Sequence, residues 1–218
     1  MAFAELSLCG AGHSKKPHVI LSDRRLDMIA LEFTLKFIAC IALVDFLSGF
    51  FHWLEDAYGH PDWPITGWWI TRPNILHHHD ARHFTQHSWL HSADVLLVMG
   101  GITLAVSYWL GWLNWMTWLV VLVGVNANEF HKWAHRSKAE NGKLITFLQR
   151  MRILQTPAHH AQHHRHGKNT HYCVVTNFLN PIVDAIRLWD LLEWVVFCIC
   201  GVKRRVDPSV GIPKAAPV

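Results

Sequence analysis

The stretch ADVLLVMGGITLAVSYWL at residues 93–110, the polar break GWLN at 111–114 and the run WMTWLVVLVGVNANEF at 115–130 decide how this chain is built. A bilayer core admits apolar helices of about 20 residues, whose backbone groups bond internally. Two long apolar runs joined by a short polar turn therefore read as a membrane hairpin, and the second run continues toward His135. An earlier candidate helix covers residues 26–54, with its apolar centre from Phe37 to Trp53. Residues 182–202 are apolar but interrupted by Asp184, Arg187, Asp190 and Glu193. That pattern leaves a fourth span or an interfacial amphipathic helix open, with the interfacial reading favoured for the first half.

Composition agrees with a membrane setting. Of 218 residues, 51% are hydrophobic and only 17% charged, where soluble domains carry about a quarter charged. Twelve Trp suit the aromatic belts of membrane interfaces, and 18 His far exceed ordinary usage. The net charge of +4 comes without a dense Lys/Arg run interleaved with aromatics, which speaks against a nucleic-acid partner. The five Cys form no C-x-x-C pair and no secreted framework. Cys40, Cys198 and Cys200 sit in apolar runs as small hydrophobes. The first 25 residues hold Lys15, Lys16, Arg24 and Arg25 without a short apolar core, unlike a cleavable signal peptide. We read residues 1–25 as an N-terminal tail, 26–202 as one membrane domain and 203–218 as a basic, Pro-rich tail.

The hairpin puts two polar, His-rich segments, 55–92 and 136–181, on the same membrane side. Lys132, Arg136, Lys138, Lys143, Arg150, Arg152, Arg165 and Lys168 point to the cytoplasmic side of a bacterial inner membrane, or of the endoplasmic reticulum in a eukaryote.

Four clusters carry chemistry. Asp45, Ser48, Gly49, His52 and Asp56 share one helical face by i, i+3, i+4 spacing, and Asp45 lies inside an apolar run, where an ionisable group is costly and points to function. From Arg72 to His91 stand His77, His78, His79, Asp80, His83, His87 and His91; the last three and His79 repeat every four residues, so one helix would stack them. Asn128, His131 and His135 lie a turn apart at the end of the third run, with Glu129 misplaced for an H-E-x-x-H zinc protease. Finally, His159-His160-Ala-Gln-His163-His164 gives two i, i+4 pairs if helical, followed by His166 and His171.

Neutral imidazole suits iron, copper, zinc and nickel. One zinc takes three or four ligands, and the paired His here are too many for a single ion. Two irons with several imidazoles each account for them, with Asp45, Asp56 and Asp80 as carboxylates that orient the ligands. Non-haem iron with O₂ supplies the oxidant that an unactivated methylene requires. The expected fold class is all-α: an integral membrane bundle of three to four membrane helices with a His-rich di-metal site at one membrane face.

At these motifs the chain resembles the plasmanylethanolamine desaturase (CarF) family of membrane lipid desaturases, with the plant trans-desaturases of phosphatidylglycerol as more distant relatives. The stretches that carry the resemblance lie between residues 42 and 194. They are DFLSGFFHWLED from Asp45 to Asp56, Arg72-Pro73 with His77-His78-His79-Asp80, NEFHKWAH from Asn128 to His135, HHAQHH from His159 to His164, Tyr172-Cys173 and Leu179-Asn180. The resemblance implies iron-site roles for His52, Asp56, His77, His78, Asp80, His87, His131, His135, His159, His160, His163 and His164. It also implies a membrane phospholipid substrate, O₂ as co-substrate and an external electron donor, cytochrome b5-like or ferredoxin-like. In the plasmanyl branch an sn-1 O-alkyl ether becomes a vinyl ether. Two departures stand out: the family's His after the last pair falls near Lys168 here, with His166 or His171 as replacements, and the N-terminal region is shorter than in animal members. An sn-2 acyl desaturase or a hydroxylase would use the same irons. A metal transporter would instead carry paired polar residues through the bilayer midplane.

Overall fold

The computed structural model describes residues 17–165 and 169–206, with side chains from residue 24 onward. His166 and Lys168, like residues 1–16 and 207–218, lie outside the described residues. All regular structure among the described residues is helical. The chain forms two compact units, Met1–Ile38 and Ala39–Val218. In the first, the helix exposes Leu26, Met28, Ile29 and Phe33. Every site residue belongs to the second.

Helix α1 runs Pro17–Tyr58, beyond both ends of the expected 26–54. A π-helical turn at Gly67–Thr71 leads into α2 (Arg72–His79), then α3 (Ala81–Thr85) and α4 (Trp89–Trp109). The four-residue His repeat therefore does not ride on one helix. Asp80 leaves the helical region at φ −131° and accepts from the Arg82 and His83 amides, starting α3. Ser88 accepts from the His91 amide and starts α4. Short polar side chains compete for backbone amides and favour caps over helix interiors. His83, His87 and His91 still stack, with ring centroids 5.0 and 4.5 Å apart, while His79 faces outward.

The expected hairpin forms, turning at Gly111 (φ +70°), a left-handed value that suits glycine. Its second arm breaks, however, into α5 (Trp115–Gly124) and α6 (Ala127–His135). Gly124 and Asn126 are weak helix formers, and Asn126 is diverted to its neighbours: its Oδ1 accepts from Trp89 Nε1 at 2.9 Å and its Nδ2 donates to the Leu122 carbonyl at 2.8 Å. Among the described residues one helix, Trp89–Trp109, is long and apolar enough to cross a membrane. Helix α7 (Lys138–Arg150) starts with a capping box between Ser137 and Glu140, and Arg82 grips Glu140 with two nitrogens at 3.1 and 2.6 Å. Helix α8 is a single turn, Pro157–His160. Residues 179–200 form α9 (Leu179–Ala185) and α10 (Leu188–Cys200), separated by left-handed Arg187 (φ +53°). At about 1.5 Å rise per residue α10 is too short for a bilayer core of about 30 Å.

The extended segment 172–177 positions the site. It passes α1 at Gly49, where a Cβ would stand 2.6 Å from Cys173 Sγ and 2.9 Å from the Cys173 amide nitrogen. Its backbone groups bond to side chains, as buried backbone must. Asp45 accepts from the Val175 and Thr176 amides at 2.9 and 3.1 Å and from the Thr176 hydroxyl at 2.5 Å. Asn180 accepts from the Cys173 amide at 2.9 Å and donates to the Cys173 carbonyl at 2.8 Å, where Gln155 also donates at 2.6 Å. Around this strap Trp53, Ala57, Tyr172, Cys173, Val183 and Trp189 make a core. Residues 203–206, the first of the expected tail, lie against the end of α1: the Arg205 amide donates to the Ala57 carbonyl at 2.7 Å.

Candidate metal centre

Two groups of buried ligand atoms stand side by side at the junction of α1, α2, α6 and α8. The first comprises His77, His131, His135, His160 and His164; the second comprises His52, Asp56, His78 and His163. Within each group the ligand atoms lie within 4.8 Å of one another. In the first, His131 Nε2 stands 2.9 Å from His160 Nε2 and 3.3 Å from His135 Nε2, and His164 Nε2 stands 3.2 Å from His160 Nε2. In the second, His163 Nε2 is 3.3 Å from His78 Nε2, and the Asp56 carboxylate lies 3.4 Å from each of those nitrogens and 4.0 Å from His52 Nε2. An ion bound to nitrogen at about 2.1 Å has ligand–ligand edges of about 3.0 Å in an octahedron and about 3.4 Å in a tetrahedron. The separations of 2.9–3.4 Å match those edges, and only the 4.0 Å from Asp56 to His52 Nε2 is longer.

The donor atoms fit a metal for a second reason. His52 Nε2, Asp56 Oδ2 and His77 Nε2 are buried and hold no hydrogen bond. Buried polar atoms rarely go unsatisfied, so each such atom asks for an explanation. A cation held in each group would satisfy all three.

Local structure explains the convergence. One turn of α1 separates His52 from Asp56, and one turn of α6 separates His131 from His135. His77 and His78 are adjacent on α2 and so point to different groups. The sequence HHAQHH forms only one of its two expected i, i+4 pairs. After α8 the chain turns, so His160 joins His164, His163 enters the other group, and His159 swings out. His52 Nδ1 donates to the Tyr172 carbonyl at 3.2 Å and His163 Nδ1 to the Thr170 carbonyl at 2.9 Å. Those bonds place the proton on Nδ1 and leave each Nε2 lone pair for the metal. Burial, and then the neighbouring imidazoles, hold His77, His131, His160 and His163 well below the ordinary imidazole range. They are neutral near pH 7, the form that binds metal.

The remaining expected site residues lie outside both groups. His87 lies with His91 on the wall of an adjoining cavity, and its ring centroid is 5.0 Å from that of His83. His159 Nε2 is 3.3 Å from Asn180 Nδ2, and its ring lies 4.9 Å from that of His171, which bonds Asp184 at 2.9 Å. Burial pushes His159 down to about 4. Asp80 caps α3, Asp45 holds the strap, and Asn128 Nδ2 donates to the Ser92 carbonyl at 2.7 Å, joining α6 to α4. None of these three bonds an imidazole through an identified contact. Asp56 is itself in a ligand group rather than behind one.

Sequence reasoning missed the residues behind the ligands. Asn74 Nδ2 donates to Asp56 Oδ1 at 2.5 Å; its place one turn before His77 and His78 on α2 was the available signal. Lys132 is fully buried and ion-pairs with Glu129, while its Nζ donates to the His87 carbonyl at 2.8 Å, fastening α6 to the start of α4. A lysine within HKWAH gives no hint of burial by spacing alone.

A cavity of about 740 Å³ reaches His52, His77 and His131 and extends between α1, α4 and α5 past Val95, Met99, Gly100, Thr103 and Val121. That size lies within the range of ligand pockets, and the far walls are apolar.

The described residues thus form an all-helical protein in which two histidine-rich groups that could hold metal ions border an apolar cavity. The chain belongs to the lipid desaturase domain family, whose profile matches residues 41–207. It is 27% identical to the plasmanylethanolamine desaturase of Myxococcus xanthus, over 75% of this chain and 60% of that protein. It is 29% identical to plasmanylethanolamine desaturase 1 of Mus musculus, over 78% of this chain and 67% of that one. With the chloroplastic fatty acid desaturase 4 of Arabidopsis thaliana it shares 27% identity over 81% of this chain and 55% of the plant protein. The chain therefore spans little more than half to two thirds of the length of these relatives. No solved structure gives a significant match.

Proposed function

We propose that this protein is an O₂-dependent di-iron lipid desaturase that converts the sn-1 O-alkyl chain of a plasmanylethanolamine to a vinyl ether. The observation that carries this reading is the pair of ligand groups on the wall of one apolar cavity. His77, His131, His135, His160 and His164 would hold one iron, and His52, Asp56, His78 and His163 the other. Bound iron would supply, with O₂, the oxidising power to remove hydrogen from an alkyl chain. Zinc can replace iron in purified protein, because imidazole suits both.

The residues of this chain do the rest. Tyr172 and Thr170 carbonyls hold His52 and His163 in the ligating tautomer, and Asn74 holds Asp56. The apolar walls on α4 and α5 seat the chain and exclude water. The balance is that of a desaturase: two hydrogens leave adjacent carbons, two electrons arrive from an external cytochrome b5-like or ferredoxin-like donor with two protons, and O₂ leaves as two waters. The reacting carbon of a vinyl ether lies beside the headgroup, so the metals must sit near the interface. Ligands at helix ends meet that demand. We place a membrane span within 93–110, apolar membrane contact within 26–54 and 115–130, and the site on the cytoplasmic side. The oxidised bond need not be the ether's. The match to a chloroplastic fatty acid desaturase supports an sn-2 acyl chain as the second reading, and its carbons near the carboxyl lie at similar depth.

Cells making the protein, fed an alkyl-acyl phosphoethanolamine with and without O₂, decide between them by lipid mass spectrometry. The expected product is an acid-labile vinyl ether formed only with O₂. If that lipid is untouched while an sn-2 chain gains a double bond, the second reading holds.

A further inference from the structure

Glu55 stands on α1 between the ligands His52 and Asp56, yet belongs to neither ligand group. It lines the same cavity as His52, His77 and His131. No described residue donates a hydrogen bond or offers a cation to its carboxylate. A partly buried carboxylate without a partner is costly, because desolvation goes uncompensated. Among the described residues the cavity wall contains two carboxylates, Glu55 and Asp94, and no Lys or Arg. The side chains that line the wall therefore offer carboxylates but no ammonium or guanidinium of their own. Tyr58, Trp63, Trp68 and Trp69 line the same cavity. Their faces attract cations, and the Arg72 guanidinium already lies 4.2 Å from the centre of the Trp68 ring. A carboxylate with several aromatic rings is the chemistry that recognises an alkylammonium group.

We propose that Glu55, with the neighbouring aromatic rings, binds the ammonium of the substrate's headgroup and makes the enzyme select an amine-bearing phospholipid over one whose headgroup carries no cation. The inference rests on the lipid-desaturase reading of the same site and adds the residue that chooses the headgroup. The placement suits a reaction near the headgroup. Glu55 is three residues from His52 and one from Asp56, within about one helical turn of the metal ligands. A lipid held there by its ammonium presents the first carbons of its chains, not their far ends, to the irons.

The test uses the iron-loaded full chain in a non-ionic detergent. Calorimetric titration compares a short-chain alkyl-acyl phosphoethanolamine with its N-acetyl derivative, which keeps the phosphate and both chains but has no cation, and with the phosphoethanol analogue, which lacks the cation without added bulk. Wild type should bind the ammonium lipid about tenfold more tightly or better, as a charge-assisted hydrogen bond implies. Glu55→Gln should bind all three lipids alike, and Glu55→Asp, one methylene shorter, should fall between. Equal binding of all three lipids by wild type overturns the inference without any variant, and so does a Glu55→Gln protein that keeps the full preference. The product assay separates this outcome from the wider reading. A wild type that prefers the ammonium lipid but desaturates nothing would sink the desaturase reading and leave the headgroup site standing. One that desaturates all three lipids while binding them equally would do the reverse.

Discussion

His131 and His160 meet through their Nε2 atoms at 2.9 Å, although they stand on separate helices, α6 and α8, with α7 between them in the chain. His131 Nε2 also approaches His135 Nε2 at 3.3 Å, and His160 Nε2 approaches His164 Nε2 at 3.2 Å. Four ring nitrogens at these spacings make sense as edges of a coordination shell.

Metal analysis of the purified protein should return about two ions per chain, since nine ligands exceed the three or four that one zinc-type site needs. His131→Ala and His160→Ala should lower occupancy of the first centre, and His163→Ala that of the second. Each should abolish product formation while membrane insertion continues, because insertion depends on the apolar helices. Full activity with a single zinc and no iron would refute the two-centre reading.

Asp56→Asn should lower iron retention and activity by about 10–100-fold, the usual scale for losses at or just behind a metal ligand. Asn74→Ala should act in the same direction through Asp56, with which it shares a 2.5 Å hydrogen bond. Asp62→Asn is the control: Asp62 is exposed and pairs with Arg72. Equal iron content in the Asp56 and Asp62 variants would show that Asp56 is only a helix-end charge.

His87→Ala and His159→Ala should keep both metals, because neither nitrogen enters a ligand group. His159→Ala should instead loosen the Asn180 contact and lower the melting temperature. A loss of half the iron in either variant would restore that histidine to the ligand list.

Asp45→Ala should destabilise the detergent-solubilised protein by roughly 2–3 kcal/mol, since it strands two amides and a hydroxyl that now bond to a carboxylate. Gly49→Ala should cost about 1–3 kcal/mol by overpacking against Cys173. Adding Cys173→Ala should not restore it, because the Cys173 backbone nitrogen also stands within 2.9 Å of the added Cβ. A thermal melt at wild-type temperature for Asp45→Ala would mean that the strap is held elsewhere.

Much of this protein was legible in its residues. Helix type, the helical hairpin around Gly111 and the presence of His clusters that could hold metal ions follow from apolar run lengths, turn residues and imidazole pairs, which act over one or two helical turns. His52 with Asp56 and His131 with His135 pair through the 3.6-residue period alone. Tertiary structure decided what local spacing cannot carry. His159 and His163 have the ligand spacing of a helix, but α8 ends after one turn and sends them to different places. Asp45, Asp56 and Asp80 are alike in sequence. Only the path of the strap, the approach of Asn74 and the capping of α3 send them to the strap's backbone, to a histidine group that could hold a metal ion and to a helix cap. Likewise the sorting of adjacent His77 and His78 into separate groups depends on which helices α2 meets, a matter of side chains brought together from distant parts of the chain, His52 and His163 among them. Local propensity is set by neighbours along the chain, whereas a coordination shell is set by neighbours in space.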